Sequence, residues 1–166
     1  DMMRHGTENE VLIERMQRWV KTLLMTTNAR DLPSTIADHI QHDFMVPQVA
    51  IKVWGVSESF KIEPFAQSVI DPIKDFAATL TTPYVGVNNN FDAVQWLPDP
   101  AAVQSVAFIA LRATRPEDTP QTAAEQPVIG LLVLASPDPQ RYYEGMGTTI
   151  IERMGDLASA ALSHLR

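Results

Sequence analysis

The chain has 166 residues and a mass of 18.4 kDa, enough for one ordinary domain with its own hydrophobic core. Hydrophobic residues make up 45% and charged residues 20%, a composition typical of a folded globular protein and not of a disordered one. A net charge of −7 without a cluster of Lys or Arg argues against nucleic-acid binding, and the absence of cysteine excludes disulfides, thiolate metal sites and thiol nucleophiles.

The location of the protein can be addressed from its apolar runs and its first residues. The longest apolar run, Val128–Ala135, is far shorter than the ~20 residues that span a bilayer. No basic segment followed by an apolar one opens the chain, so the sequence predicts a cytoplasmic protein without membrane attachment. Because residue 1 is Asp and not Met, we expect the chain to be part of a longer protein.

The first predicted element is a helix between Gly6 and Arg30, a stretch without proline. Thr7 and Glu10 have the spacing of a capping box that would start it, but the helix could equally be running at the first residue. Its apolar positions fall on one stripe, formed by Leu12, Met16, Trp19, Val20, Leu23 and Leu24. Four of them form a two-heptad seam, which we predict to be a dimer interface: Leu12, Met16, Trp19 and Leu23.

A second helix and a first strand follow. Asp31 can cap the helix, and Pro33 is tolerated in its first turn. The positions predicted to face inward are Leu32, Ile36, Ile40 and Phe44. The β-branched, alternating segment Val49–Trp54 predicts a strand.

The middle of the chain predicts shorter elements. Asp71 followed by Pro72 is typical of a helix start, and the buried face of that helix would be Ile73, Phe76, Ala77 and Leu80. Tyr84–Val87 predicts a short strand, and 88–90, which is three asparagines, predicts a turn. A short helix is expected within 91–102, where Pro98 and Pro100 would interrupt it.

The last third predicts two strands and a long helix. Ser105–Arg112 is one strand, 115–127 an exposed hairpin loop, and Val128–Ser136 an inner strand that is apolar on both faces. Thr149 with Glu152 would cap an amphipathic helix whose apolar positions are Ile150, Ile151, Met154, Leu157, Ala158, Ala161, Leu162 and Leu165. Helices at both ends of a mainly antiparallel sheet give the class α+β.

Several motifs together carry a family resemblance. They are Phe44-Met-Val-Pro47 before the first strand, Thr82-Pro-Tyr-Val-Gly86, Ser105-Val-Ala-Phe-Ile-Ala-Leu111, Gly130-Leu-Leu-Val-Leu-Ala-Ser136-Pro-Asp138 and Tyr143-Glu-Gly-Met-Gly-Thr148. The chain thereby resembles, over nearly all its length, the bacterial family catalogued as domain of unknown function 484, which is similar to GAF domains.

The resemblance implies a fold and a domain organisation. The fold would be a mainly antiparallel central sheet with the N- and C-terminal helices on one face and crossover helices and loops on the other. Residues 1–30 would be an N-terminal helix, the end of a longer helical or coiled-coil segment, and residues 31–166 the GAF-like domain.

The resemblance also implies a function. It indicates a non-enzymatic sensory or regulatory module that works as a homodimer and binds a small molecule between the sheet and the crossover segments. By analogy with GAF domains, the ligand pocket would involve Trp54, Phe60, Phe65, Tyr84, Phe91, Trp96 and Ser105. Two alternatives stay open: these side chains can simply fill the core, and the protein can be an interaction or dimerisation scaffold without a small-molecule ligand.

The remaining motifs do not predict chemistry. Gly145-Met-Gly147 precedes a helix, but a dinucleotide fingerprint would need a third glycine where Ile150 stands, so we interpret the pair as a strand–helix hinge. His39 and His42 share a helix face without a third metal ligand nearby. With no nucleophile elbow in the sequence, we expect no catalysis, metal or cofactor.

Overall fold

The computed structural model describes the backbone of residues 2–166 and the side chains of residues 10–166. Five helices lie in this part of the chain: α1 (Met2–Met25), α2 (Leu32–Asp43), α3 (Asp71–Ala78), α4 (Pro120–Ala124) and α5 (Thr149–Leu162). Four strands accompany them: β1 (Gln48–Val53), β2 (Tyr84–Val87), β3 (Ser105–Arg112) and β4 (Val128–Ser136). Short 3₁₀ helices occupy several of the connections, among them Asp92–Trp96 and Pro100–Ala102.

The strands form one sheet in the order β1-β4-β3-β2, and every neighbouring pair is antiparallel. β4 is central in the sheet and both of its faces are covered by hydrophobic clusters, which explains why it is apolar on both faces. The hairpin between β3 and β4 pairs Ser105 with Ser136 at one end and Arg112 with Val128 at the other. The predicted antiparallel sheet and the α+β class are confirmed.

Each face of the sheet covers a separate hydrophobic cluster, because side chains alternate along a strand. On one face, Ile109 and Leu132 pack under α1, α2 and α5. On the other, Phe108 and Val133 pack under α3 and the 3₁₀ segments. The terminal helices therefore share one face, as predicted, and the middle of the chain crosses the other.

The start and end of α1 illustrate how local signals position the helices. The backbone is already helical at Met2, so the start at Thr7 is wrong, although the Thr7 side chain itself lies outside the described residues. The helix ends at Met25, and the Asn28 side chain accepts a hydrogen bond from the Arg30 backbone N–H in the 3₁₀ turn before α2.

The second helix follows its sequence pattern closely. Asp31 occupies its N-cap position, although its side chain makes no capping hydrogen bond, and Pro33 lies in its first turn. The four positions predicted to face inward are all buried: Leu32, Ile36, Ile40 and Phe44. Beyond Phe44, Met45 adopts a left-handed φ of 55°, which turns the chain away from the helix and into β1.

Two predicted boundaries need correction. The 115–127 loop contains α4, with Thr119 as its N-cap and Thr122 returning the capping bond in a capping box. At α5, Thr148 and not Thr149 is the N-cap, and its hydroxyl donates to the Glu152 carboxylate at 2.9 Å. The capping box satisfies two backbone N–H groups at the start of α4, whereas the Thr148 side chain bonds the Glu152 side chain and caps no backbone N–H of α5.

Candidate functional site

The predicted aromatic pocket is a packed cluster in the structure. Tyr84 and Phe91 lie on the second face of the sheet, with ring centroids 5.1 Å apart. Phe108 contacts both, at 4.9 Å from Phe91 and 5.9 Å from Tyr84, and Phe76 of α3 closes the group at 5.2 Å from Phe108. Three of these four contacts are edge-to-face and the Tyr84–Phe108 contact is tilted, a packing typical of a protein core. The rings therefore occupy the volume that a ligand under the crossover segments would need.

Two further aromatics border this cluster, on the β1 side. The Trp54 indole N–H donates to the Val128 carbonyl at 3.2 Å. The Lys52 ammonium lies 5.8 Å from the centroid of the Trp96 ring and donates to the Gln67 carbonyl at 2.7 Å. Partial burial lowers the pKa of Lys52. The Lys52 contacts hold the crossover segments that contain Gln67 and Trp96 against β1.

The structure does not bring the other three predicted pocket residues to this cluster. Phe60 and Phe65 pack against the cluster under the terminal helices. Ser105 is fully buried; its hydroxyl donates to the Asp138 carbonyl at 2.7 Å and accepts from the Tyr142 backbone N–H at 3.3 Å. Strand alternation places Ser105 on the face opposite Phe108, so its role is to anchor the loop after β4.

A hollow of about 240 Å³ lies at the rim of the aromatic cluster, between α3 and the asparagine turn. Phe76 and Phe91 form its floor, and Asn89 and Asn90 its polar side. Asn90 has a left-handed φ of 58°, and its N–H donates to the Asn88 side chain, which confirms the predicted turn chemistry. The volume is below the range usual for small-molecule sites.

A larger apolar groove, of about 450 Å³, lies between the second half of α1 and α5. Val20 and Leu24 form one wall, and Leu157, Ala160 and Ala161 form the other. Leu24 is 81% exposed at the rim of the groove. An apolar side chain so exposed beside an apolar hollow is typical of an interaction surface.

Two of the four residues of the predicted dimer seam are buried within the monomer. Trp19 is fully buried and its indole N–H donates to the Ile36 carbonyl of α2 at 3.3 Å; Leu23 is also buried. Leu12 and Met16 are half-buried. Trp19 and Leu23 thus have their partners in their own chain. The neighbouring stripe contains half-buried Val20 and exposed Leu24, and α1 also leaves Val11, Ile13 and Met25 exposed. Dimerisation itself stays a prediction.

The glycine pair after β4 lies in a loop and not in a phosphate cradle. Gly145 has a left-handed φ of 90°, which favours glycine at that position. The strand before it is antiparallel to both neighbours, unlike the parallel strand of a dinucleotide site. The Glu152 carboxylate also lies in the first turn of α5, where an anion would bind.

The histidines of α2 have no metal-binding partners among the described residues. His39 is half-buried and His42 exposed on this helix. No group of three His, Cys, Asp or Glu suited to a metal ion occurs in the part of the chain that the structure describes. Within the same residues, none of the helices has the length and hydropathy required to cross a bilayer.

Comparisons with known proteins agree with this architecture. The family model described as "Protein of unknown function, DUF484" matches residues 1–164, so the chain belongs to this family. A comparison with curated proteins finds no match.

Two solved structures share the fold. The GAF domain from Acinetobacter phosphoenolpyruvate-protein phosphotransferase is similar with a TM-score of 0.56 and 11% identity, over 92% of each chain. A far-red cyanobacteriochrome photoreceptor is similar with a TM-score of 0.52 and 14% identity, over 97% of this chain and 98% of that one. At such identities the likeness establishes a GAF-like fold and nothing about ligands.

Proposed function

We propose that this member of the DUF484 family is a non-enzymatic regulatory module that acts as a homodimer through the groove between α1 and α5. The observation that carries the proposal is Leu24, which is 81% exposed beside an apolar groove that its own chain leaves open. The non-enzymatic character is part of the proposal, and the lack of a nucleophile elbow in the sequence supports it.

A second copy of the chain suits this surface because the surface is self-complementary. In a two-fold dimer each copy presents the same patch, so a projecting side chain must find its recess on the partner. Leu24 projects, and the small side chains Ala160 and Ala161 leave a recess on α5 next to it. Two Leu24 side chains can then enter the two recesses, as knobs enter holes between packed helices.

Regulation through such a dimer requires two arrangements of the helices. α1 and α5 are the first and last helices of the described chain and lie on the same face of the sheet. A change in their packing against the sheet would change the geometry of the dimer. A regulator can drive that change only by binding the two arrangements with different affinity.

The packing of the aromatic cluster supports the scaffold alternative over a small molecule beneath the crossover segments. A ligand there would have to displace contacts among Tyr84, Phe91 and Phe108. The prediction of a small-molecule ligand can be checked by thermal unfolding with nucleotides, amino acids and metabolites, since a saturating ligand raises the midpoint. A clear rise with one of them, lost in Phe91→Leu, would restore the ligand hypothesis.

The dimer is tested by substituting the projecting side chain. We expect the wild-type chain to have twice the 18.4 kDa monomer mass by light scattering coupled to size exclusion, and Leu24→Asp to have the monomer mass. The matched control is Met25→Asp, since Met25 is 68% exposed at the next position and does not line the groove. It should remain dimeric. A monomeric wild-type chain at high concentration, or a dimeric Leu24→Asp variant, would contradict the proposal.

A further inference from the structure

A cleft of about 560 Å³ lies on the other side of α5, beside the edge of β3. Its walls are the second half of β3, the segment 80–83 before β2, the 114–124 segment and α5. It shares no lining residue with the groove between α1 and α5. A binding role for the cleft therefore does not require the proposed dimer.

The cleft exists because β2 is shorter than β3. The ladder between them stops where Tyr84 pairs with Phe108, so Ile109–Arg112 extends beyond its neighbour. The next residue before β2 is Pro83, which has no N–H to donate to a ladder. The chain leaves the sheet there, and the cleft lies between the departing segment and β3.

The edge of β3 in this cleft presents hydrogen-bonding backbone groups. Along an antiparallel strand, successive residues direct their N–H and C=O groups to opposite sides. The Ala113 N–H bonds the Pro127 carbonyl across from β4, and the Arg112 N–H is turned outward to the Ser159 hydroxyl at 3.1 Å. The Arg112 carbonyl in turn accepts from the Thr114 hydroxyl at 3.2 Å, so both backbone groups of Arg112 are already bonded. Ala110, two residues before Arg112, directs its N–H and C=O outward into the cleft and is the position of this edge that can pair with a partner.

Proteins commonly protect such an edge with Lys, Pro or a bulge. The segment Ile109-Ala-Leu-Arg112 contains neither Lys nor Pro, and its one charged side chain, Arg112, is held by the Leu80 and Gln126 carbonyls and leaves the backbone of Ala110 uncovered. The register irregularity near Leu111 puts the extra residue on β4, where Val128 pairs with Arg112 and Gly130 with Leu111, so the edge of β3 stays straight. These features favour addition of another strand.

The charge of the α5 wall defines which strand would fit. Gly155 lies directly on Ile109, since a Cβ there would be 2.6 Å from the Ile109 Cγ2 atom. Glu152 and Asp156, on the adjoining turns, both line the cleft. On the opposite wall the Arg115 guanidinium is already paired with the Asp118 carboxylate at 2.6 Å. The α5 side of the cleft is therefore acidic.

Burial, reinforced by the negative charge of Glu152, raises the pKa of Asp156. A cation placed between the two carboxylates would relieve their repulsion. In an added antiparallel strand, the residue opposite Ile109 shares its face of the sheet and points toward α5.

We propose that the edge of β3 at Ala110, between Ile109 and Arg112, binds an extended segment of a partner protein, which adds to the sheet as a short further strand and places a Lys or Arg side chain against Glu152 and Asp156. The backbone of Ala110 supplies hydrogen bonds that are independent of the partner's sequence. The two carboxylates supply the selectivity.

The probes are three blocked pentapeptides of sequence Thr-Val-X-Val-Thr, with Lys, Ala or Glu at X, titrated into the full chain and followed by amide NMR. We expect the Lys peptide to shift the Ala110 and Asp156 resonances, to slow hydrogen exchange at the Ala110 N–H, and to bind about tenfold more tightly than the Glu peptide. Equal affinity of the Lys and Glu peptides, or no effect at Ala110 at millimolar peptide, would overturn the proposal.

Variants distinguish the contribution of the Ala110 backbone hydrogen bonds from that of the two carboxylates. Glu152→Gln with Asp156→Asn should reduce the affinity of the Lys peptide to that of the Ala peptide, and Asp156→Lys should reverse the preference toward Glu. Ala110→Pro should weaken all three peptides alike. The control Asp75→Asn, an exposed carboxylate on α3 outside the cleft, should change nothing.

Other occupants give distinct results. Lysine amide that reproduces the shifts at Asp156, together with no protection of Ala110 by any peptide, would identify a small-cation site and refute strand addition. Protection of Ala110 that grows with protein concentration, without peptide, would identify a second copy as the occupant and also refute it.

Discussion

Trp19→Ala tests whether the apolar stripe of α1 belongs to the core or to an interface. Trp19 is fully buried in the monomer, between α1 and α2, and its indole N–H donates to the Ile36 carbonyl at 3.3 Å. Truncating a buried Trp to Ala typically costs about 3–5 kcal/mol through lost apolar burial and the cavity that remains. The Ile36 carbonyl keeps its helical partner, since it lies within α2, so little is added for an unsatisfied acceptor.

We therefore expect Trp19→Ala to lose about 3–5 kcal/mol, a large share of the ~5–15 kcal/mol by which domains are usually stable. Trp19→Phe keeps most of the volume and should lose about 1–2 kcal/mol, roughly one hydrogen bond and a small void. The matched control is Leu24→Ala, which should change monomer stability by less than about 0.5 kcal/mol because Leu24 is exposed.

The assay is urea denaturation followed by circular dichroism, with each variant measured at several protein concentrations. A core residue shifts the midpoint at every concentration without changing the slope. An interface residue would instead give a loss that depends on concentration. A loss below about 1 kcal/mol for Trp19→Ala, or one that vanishes at low concentration, would refute the assignment of Trp19 to the core.

Two further substitutions probe α5. Gly155→Ala places a Cβ 2.6 Å from the buried Ile109 Cγ2 atom, an overpacking that costs about 1–3 kcal/mol against a gain of about 1 kcal/mol in helix propensity. The urea midpoint should therefore fall when Gly155→Ala is made in the wild-type chain and rise when it is made in the Ile109→Ala variant. A rise in both backgrounds would be inconsistent with the close approach. Because the pKa of Asp156 is raised in the folded state, the folded state binds more protons than the unfolded state just above the ordinary pKa of 3.8, and stability falls as pH rises through that window. Asp156→Asn should therefore be more stable than wild type at pH 7 but equal to it below pH 3.8. A stability difference that does not vary with pH would contradict this.

Residue composition and segment length were sufficient to predict the bounds of three of the four described strands, including Val128–Ser136, which is apolar on both faces. The strands Tyr84–Val87, Ser105–Arg112 and Val128–Ser136 occur with the predicted bounds. Their β-branched and apolar residues leave no competing helical pattern. α4 was missed because it has only five residues and a Thr at the position where a capping box usually has Glu or Gln.

The apolar stripe of α1 could not be resolved further from sequence. Trp19 and Leu23 belong to one apolar row, and Val20 and Leu24 to the next row on the same helix. Which row faces the sheet depends on where α2 and α5 lie, and no local pattern in α1 contains that information. The long-range contact of Trp19 with Ile36 decides it.

Which of the candidate pocket residues lie together in space could be predicted only in part, for a physical reason. Phe60 and Phe65 lie in 3₁₀ helices of three residues each, Glu58–Phe60 and Pro64–Ala66, which are too short for a periodic pattern to indicate the direction of a side chain. The position of Ser105, in contrast, could have been predicted. Side chains alternate along a strand, so Ser105 must lie on the face opposite Val106 and Phe108, which is the face covered by the terminal helices. Pro83 likewise signalled the end of the ladder on β2.

α5 takes part in both proposed interactions, with opposite sides. Leu157 and Ala161 line the groove, whereas Glu152, Asp156 and Ser159 line the cleft, and one continuous backbone carries all of them. Because α5 is one continuous helix, a displacement of its cleft side also displaces the side chains that line the groove. If strand docking tilts it, subunit pairing must strengthen or weaken by a matching free energy, and pairing must alter docking to the same degree.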